Sequence, residues 1–446
     1  MKNFIETLRN IWRIKELREK ILLTLGLLLV YRVGSNVPLP GIDIASLEGL
    51  KDQAAGGLMG LLDAFTGGAF SNASILGLGI MPYISASIVI QLLGLAVPAI
   101  QKLQKDGESG RTKLTQMTRY LTIAICAAQA PAYIANLGMQ NVGYTLPQNL
   151  FWVLSIATLI AGTIFAMWLG ERITDKGIGN GISLLIMVGI IANLPQAFMQ
   201  ELVAKVEQDS GGWVVFILEM AAIYLVIMFA IALTQAVRKV PLQYAKRTAA
   251  GGAVAGRPLG RDYLPLRVNA AGVMPIIFAQ AIMFIPISVA SFNQSESMSW
   301  VRNFFGDIQG VWYNLTFALL IILFTYFYTA IQVNTNNIAD DLKRNGGFVP
   351  GVKPGRSTAE YLDEILSRIT LPGAFLLAVL AILPAIAMMT GMTQQWAQFY
   401  GGTSLLIIVG VVLDTLMQIE SYLLNRHYDG LMKTGRLKGR STANAI

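Results

Sequence analysis

Residues Gly56–Leu95 read GGLMGLLDAFTGGAFSNASILGLGIMPYISASIVIQLLGL, and the fold turns on how this stretch is read. From Ala64 to Gln101 there is no charged residue, far more apolar chain than the roughly 20 residues one membrane crossing needs. Gly67–Gly68 and Ser71–Asn72 interrupt it, and such residues turn the backbone readily. The piece before the break, Leu58 to Phe65, carries Asp63 and is too short to span. The piece after it, Ile75 to Leu95, has the length of a crossing helix. Backbone that enters a membrane and turns back is tolerated only where protein or water surrounds it. The stretch therefore predicts a short half-helix inside a cavity, followed by a full span.

Composition sets the class. The chain has 446 residues, 54% hydrophobic and 13% charged, where soluble domains carry about 25% charge. That is a polytopic membrane protein. The N-terminal stretch MKNFIETLRNIWRIKELREK is amphipathic and lacks a short apolar core, so no cleaved signal peptide is expected. A single cysteine, Cys126, excludes an intrachain disulfide and a cysteine zinc cluster. The single histidine, His427, excludes a histidine-based catalytic constellation among the spans. No G-x-x-x-x-G-K-[ST] sequence occurs, so the chain has no phosphate-cradling loop. Neither cofactor nor metal is expected, and energy for any transport must come from a partner.

Ten apolar segments are expected to span, near 21–37, 75–95, 117–136, 150–170, 182–200, 213–236, 270–291, 312–332, 370–388 and 403–422. Two uncharged runs, Tyr120–Gly170 and Ile369–Leu413, are each long enough for two crossings, with breaks at Gly138–Asn149 and Gly391–Gly402. Of the 34 Lys and Arg, all but Arg32, Lys51, Lys205 and Arg302 fall in the segments on one side. By the positive-inside rule both termini are cytoplasmic. Residues 1–20 form a cytoplasmic amphipathic segment, 21–206 an N-terminal half, 207–425 a C-terminal half and 426–446 a cytoplasmic tail.

Two cytoplasmic connections, 237–269 and 333–369, are longer than crossing helices require. The second offers a helix start at Ser357–Thr358 with Glu360 in the first turn. Loops this long that keep ordered signals tend to be functional. Their interleaved basic and apolar residues suit docking of ribosomal RNA, an acidic protein surface or anionic lipid, and charge alone does not choose among these.

An internal repeat gives the two halves a relation. Gly79-Ile80-Met81-Pro82-Tyr83-Ile84 matches Gly272-Val273-Met274-Pro275-Ile276-Ile277, and the segment from Gly181 matches that from Gly402 as G-x-S-L-L-I-x-V-G. The paired spans run in opposite directions, so two five-helix halves are related by inversion, with the working site at their interface. Ile84 pairs with Ile277 and Ile186 with Ile407, while Ile80 and Ile182 each lie one turn away on the same faces. A narrow aliphatic ring is the expectation, since stiff branched side chains exclude water from a constriction. Ser87 and Gln91 continue the first face as a polar stripe, which suits a funnel lining or plain helix packing. GIGNG at 177–181 reads as a turn and helix entry. Glu219 and Asp414 are acidic residues inside apolar spans, functional candidates because burying charge is costly. A passive channel is the leading reading; a secondary carrier of a small solute and a structural scaffold stand beside it.

FSNASILGLGIMPYISASIVIQLL, GESGR, MWLGERITDKGIGNGIS, YAKR, LPLRVNAAGVMPIIFA, FVPG and GGTSLLI, in this order, closely resemble the motifs of the SecY family of protein-translocation channels. The likeness covers nearly the whole chain and is weak in the outer loops near 137–149, 201–213, 292–311 and 389–400 and in the tail. It implies an all-α clamshell of ten transmembrane helices in two inverted halves, with a re-entrant plug half-helix, in the bacterial inner membrane. The implied pore ring is Ile80, Ile84, Ile182, Ile186, Ile277 and Ile407. The implied plug spans about 58–72 and includes Leu58, Leu61, Leu62, Phe65, Gly67 and Gly68. The implied lateral gate, for signal sequences and membrane helices, includes Ser87, Gln91, Asn269 and Gln280. Docking of the ribosome or the SecA motor ATPase falls to Lys246, Arg247, Lys353 and Arg356. SecE and SecG are the implied small partners, SecD, SecF and YidC the accessory ones, and signal-bearing preproteins and lipid the remaining contacts. One departure stands out: PGVKPG carries Lys353 where the family usually has arginine, and lysine lacks the planar fork of donors. Arg356 follows three residues later.

Overall fold

The computed structural model describes residues 12, 14–43, 63, 66–139, 143, 145–207, 212–244, 262–292, 300, 304–305, 307 and 309–433. Among these the chain is mostly helical. The first helices are α1 (Lys15–Gly34), α2 (Met81–Ala96), α3 (Pro98–Lys105), α4 (Gly107–Met139), α5 (Gln148–Lys176), α6 (Gly181–Glu207) and α7 (Gly212–Gln235). After them come β1 (Val237–Tyr244), β2 (Asp262–Arg267), α8 (Met274–Phe292), α9 (Val311–Gln332), α10 (Thr335–Arg344) and β3 (Gly347–Phe348). The chain then forms α11 (Arg356–Met389), α12 (Gln394–Ala397) and α13 (Gly402–Lys433). A helix covers most of each apolar segment. Among the described residues six helices are long and apolar enough to cross a membrane, and the bent pair α2–α3 would make a seventh.

Helix α2 starts at Met81, six residues later than the apolar pattern suggests. Gly79 sits at φ +55°, a left-handed conformation that ends any helix running back from Met81, and Pro82 occupies the first turn, where its missing N–H costs nothing. The repeat partner uses the same device: Gly272 lies at φ +64° and α8 begins at Met274–Pro275. The GIGNG turn leads into α6 at Gly181 as expected, and α13 starts at the matching Gly402. Helix α11 starts at Arg356 with no side-chain cap; Thr358 Oγ1 instead donates to the Lys353 carbonyl at 2.9 Å.

The chain divides into two compact units. The first comprises Met1–Ala54, Met59–Asn193 and Gly410–Ile446; the second comprises Ala55–Leu58 and Leu194–Val409. In the first, α4 packs on α2, α3 and α5, and α1 lies against α5. Leu39, Ala73, Ala130, Tyr133, Ile134 and Leu159 are buried together there. Gly162 of α5 lets the Ile75 carbonyl approach so closely that a Cβ would collide with it.

In the second unit, α11 packs on α9, α10 and α7, and α8 packs on α9. Its two long connections do not stay separate loops, and the all-α expectation is corrected here. β1 is the middle strand of a three-stranded antiparallel sheet in the order β2-β1-β3. The register runs from Val237↔Arg267 to Leu242↔Asp262 on one side, with only Gln243↔Phe348 and Tyr244↔Gly347 on the other. Pro241 therefore lies where β1 has just one neighbour, the setting in which a strand tolerates a residue without an N–H. Val240, Leu242 and Leu266 face inward onto Leu342, Val349, Leu362 and Leu366, so both connections share one hydrophobic cluster.

Candidate functional site

Between the short apolar piece and α2 the chain runs as irregular turns over residues 67–80, which overlap the segment expected at about 58–72. Many of its backbone groups find partners in neighbouring segments, as buried amides require. Leu39 N–H donates to the Ala73 carbonyl at 2.8 Å, and Ile75 N–H to Val37 at 2.9 Å. Tyr133 of α4 donates its hydroxyl to the Phe70 carbonyl at 2.9 Å and sets its ring edge-on to Phe70 at 4.9 Å. Ala73 holds φ +43° and is fully buried, a strained conformation held by the packing around it.

Gly67 (φ +68°) and Gly68 (φ +85°) form the turn that begins this segment. A Cβ on Gly67 would lie 2.7 Å from the Cα of Gly189 in α6, so the two backbones touch. Arg32, near the end of α1, donates to the Gly67 carbonyl and, at 3.3 Å, to Ser35 Oγ. Asp63 Oδ1 accepts from Ser71 N–H at 2.8 Å, and Asn193 of α6 makes a long 3.5 Å contact with the Asp63 carbonyl. Leu58, Leu61, Leu62 and Phe65 lie outside the described residues.

Ile84 lies on α2 and is buried, and Ile80 caps that helix, also buried. Ile186 is buried and Ile182 half-buried on α6. These four belong to the first unit. Ile407 of α13 is buried, Ile277 of α8 is half-buried, and both belong to the second. On α2, Gln91 donates to Ser87 Oγ at 3.1 Å. Asn269 and Gln280, in the second unit, are buried, and Asn269 Oδ1 has no hydrogen-bond partner among the described residues. Lys353 and Arg356 are exposed, with Arg356 Nε 3.1 Å from Glu360. Lys246 and Arg247 lie outside the described residues.

Two arrangements were not visible in the sequence. The GIGNG turn is held by side chains from distant helices: Ile178 N–H donates to Thr24 Oγ1 at 3.1 Å and Gly179 N–H to Gln418 Oε1 at 2.9 Å. The second is a buried ion cluster in the second unit. Lys205 of α6 lies 3.2 Å from Glu219 of α7 and 3.7 Å from Glu201, and donates to the Gly391 carbonyl at 2.9 Å. Glu201 Oε2 accepts from Thr393 N–H at 2.8 Å and from the Thr393 hydroxyl. Tyr400 donates to the Glu219 carbonyl, and burial together with the two carboxylates pushes its phenol up. The cluster ties segment 390–401 to α6 and α7. Its only sequence signal was Glu201–Lys205 at i,i+4 spacing ahead of Glu219. No group of His, Cys, Asp and Glu suited to a metal occurs among the described residues.

Long apolar helices and an irregular segment folded among them define a polytopic membrane protein with a built interior. The comparisons give the family. The SecY family model matches residues 74–416. The SecY translocase subunit of Streptomyces galbus is 41% identical over 436 residues, covering 95% of this chain and 98% of its own. A solved structure of a protein conducting channel covers 90% of this chain and 91% of its own, with a TM-score of 0.64 at 16% identity. Sec61 in the canine ribosome-channel complex covers the same shares with a TM-score of 0.59, also at 16% identity. The chain belongs to the SecY family.

Proposed function

We propose that the chain is a passive channel for unfolded preproteins, releasing membrane helices sideways into the bacterial inner membrane. The observation that carries this is the family match across 74–416, which spans both copies of the internal repeat. The chain does no covalent chemistry of its own; SecA or the ribosome drives transport, with SecE and SecG as membrane partners. Ten spans form two inverted halves, 21–206 and 207–425, with both termini cytoplasmic. Ile80, Ile84, Ile182, Ile186, Ile277 and Ile407 close the pore, and the 58–72 segment plugs its outer side. Ser87, Gln91, Asn269 and Gln280 line the lateral gate. The sheet cluster built from 237–269 and 333–369 presents Lys353 and Arg356 to the cytoplasmic partner, with Lys246 and Arg247 beside it in sequence.

The decisive experiment is reconstitution with the motor and small partners. ATP-dependent entry of a precursor into vesicles is expected; its absence with a competent motor overturns the reading. In the ring, Ile84→Gly with Ile277→Gly is expected to raise resting ion conductance in planar bilayers. Unchanged conductance refutes the ring.

A further inference from the structure

The turn at 177–181 enters α6 between two other helices of the same unit. Three of its amides are answered by side chains, since buried N–H groups in an irregular turn need partners from elsewhere. Ile178 N–H meets Thr24 Oγ1 of α1, whose own hydroxyl proton goes to the Lys20 carbonyl at 2.9 Å, so the group both donates and accepts. Gly179 N–H meets Gln418 Oε1 of α13, and Gly181 N–H meets Thr174 Oγ1 at 2.9 Å. Asn180 Oδ1 accepts from Ile182 and Ser183 N–H at 3.2 and 3.4 Å and caps the helix. The approaches are close. A Cβ on Gly177 would lie 2.4 Å from Thr24 Oγ1, and one on Gly179 would lie 3.0 Å from Thr415 Oγ1. Beyond the turn, α1 and α13 hold each other directly: Lys20 Nζ donates to the Tyr422 hydroxyl at 2.6 Å and lies 4.4 Å from its ring centroid. Lys20 and Thr24 share a face of α1, and Gln418 and Tyr422 a face of α13, each pair four residues apart.

We propose that Thr24 and Gln418 are positioning residues that set the entry of α6 and, through it, the placement of Ile182 and Ile186. This rests on the ring reading above. Ile182 lies in the first turn of α6, four residues after Ile178, and Ile186 follows one turn later, so a shift of the entry carries both with it. Local sequence does not fix that entry, because Gly179 holds φ +81° but has ready access to other conformations. The two acceptors select one of them. Ile178 and Gly179 are buried, so losing either acceptor leaves an N–H unpaired, a cost the turn relieves by moving. Helices from opposite ends of the chain thus jointly specify where two of the ring residues stand.

The test uses the assembled translocase in planar bilayers, with thermal unfolding of the same purified complex as a second readout. Thr24→Val and Gln418→Leu each remove the acceptor at similar volume. Each is expected to raise resting conductance roughly fivefold, the scale of one lost hydrogen bond. Thr24→Ser, which keeps the hydroxyl, is expected to behave as the parent. Gln418 is exposed, so its variant decides the matter if Thr24→Val fails to accumulate. A role in stability alone would lower the unfolding temperature and leave conductance at the parent level. Ile84→Gly with Ile277→Gly is the control for the ring itself. Parent-level conductance in Thr24→Val and Gln418→Leu, with raised conductance in the control, overturns the positioning role and leaves the ring reading standing. Conductance raised alike in Thr24→Val and Thr24→Ser overturns it too, since the acceptor would then not matter. Unchanged conductance in the control overturns the ring reading, and the positioning role with it.

Discussion

Two basic side chains grip the carbonyl of a left-handed glycine, and they do it with opposite chemistry. Arg32 of α1 holds Gly67 (φ +68°), and Lys205 of α6 holds Gly391 (φ +86°). Lys205 is enclosed with two carboxylates, its side chain 4% exposed. Arg32 is half-buried with neutral partners. A buried ammonium stripped of its carboxylates is expensive, so the Lys205 grip is permanent on the timescale of function. A guanidinium that leaves a carbonyl for water loses little, so the Arg32 grip is releasable. The contrast makes the Lys205 contact costly to break and the Arg32 contact cheap to break.

The largest expected effect is on the permanent clamp. Lys205→Met leaves Glu201 and Glu219 buried with no cation, and removing one partner of a buried pair costs about 3–5 kcal/mol. Thermal unfolding of the purified complex should show this as a large loss. Glu219→Gln should cost much less, since Lys205 and Glu201 remain a balanced pair. Adding Glu219→Gln to Lys205→Met should recover part of the loss, because one uncompensated charge is removed. Equal losses for Lys205→Met and Arg32→Met would erase the distinction between the clamps.

Next in size is Gly67→Ala. The left-handed φ penalises any Cβ by about 1–2 kcal/mol, and here the new atom also lies 2.7 Å from Gly189 Cα. The turn can relieve the clash by moving away from α6. Higher resting conductance is therefore the expected readout, with the unfolding temperature nearly unchanged. A fall in unfolding temperature without added conductance would make the Gly67 turn part of the frame.

Much of the fold could be read from the chain because apolar runs are long and uncharged. The repeat was legible too, down to the glycine that sets both α2 and α8: Gly79 and Gly272 share one conformation. The sheet was not legible. Val240-x-Leu242 and Leu264-x-Leu266 do alternate, but each strand shows just two inward positions amid Pro241, Pro265, Lys239 and Arg267, too few to outweigh a loop reading. Its third strand comes from a segment about 80 residues further on, and only tertiary packing joins them. The clamps were hidden for the same reason. Arg32 and Lys205 appeared as stray cations on the sparsely charged side, and what fixes their roles, the Gly67 and Gly391 carbonyls, is backbone that no residue type announces.

The smallest effect belongs to Gly391→Ala. Its φ of +86° carries the same backbone penalty as Gly67, about 1–2 kcal/mol, but nothing lies within 4 Å of the added Cβ. Lys205 reaches the carbonyl, not the Cα, so the ion cluster keeps its geometry when the methyl points into open space. The expected result is a modest drop in unfolding temperature with resting conductance at the parent level. Measured beside Gly67→Ala, it separates the conformational cost common to both glycines from the close approach that only Gly67 makes. Raised conductance in Gly391→Ala would mean that segment 390–401 also moves on opening, and that a buried ion cluster can serve a moving part.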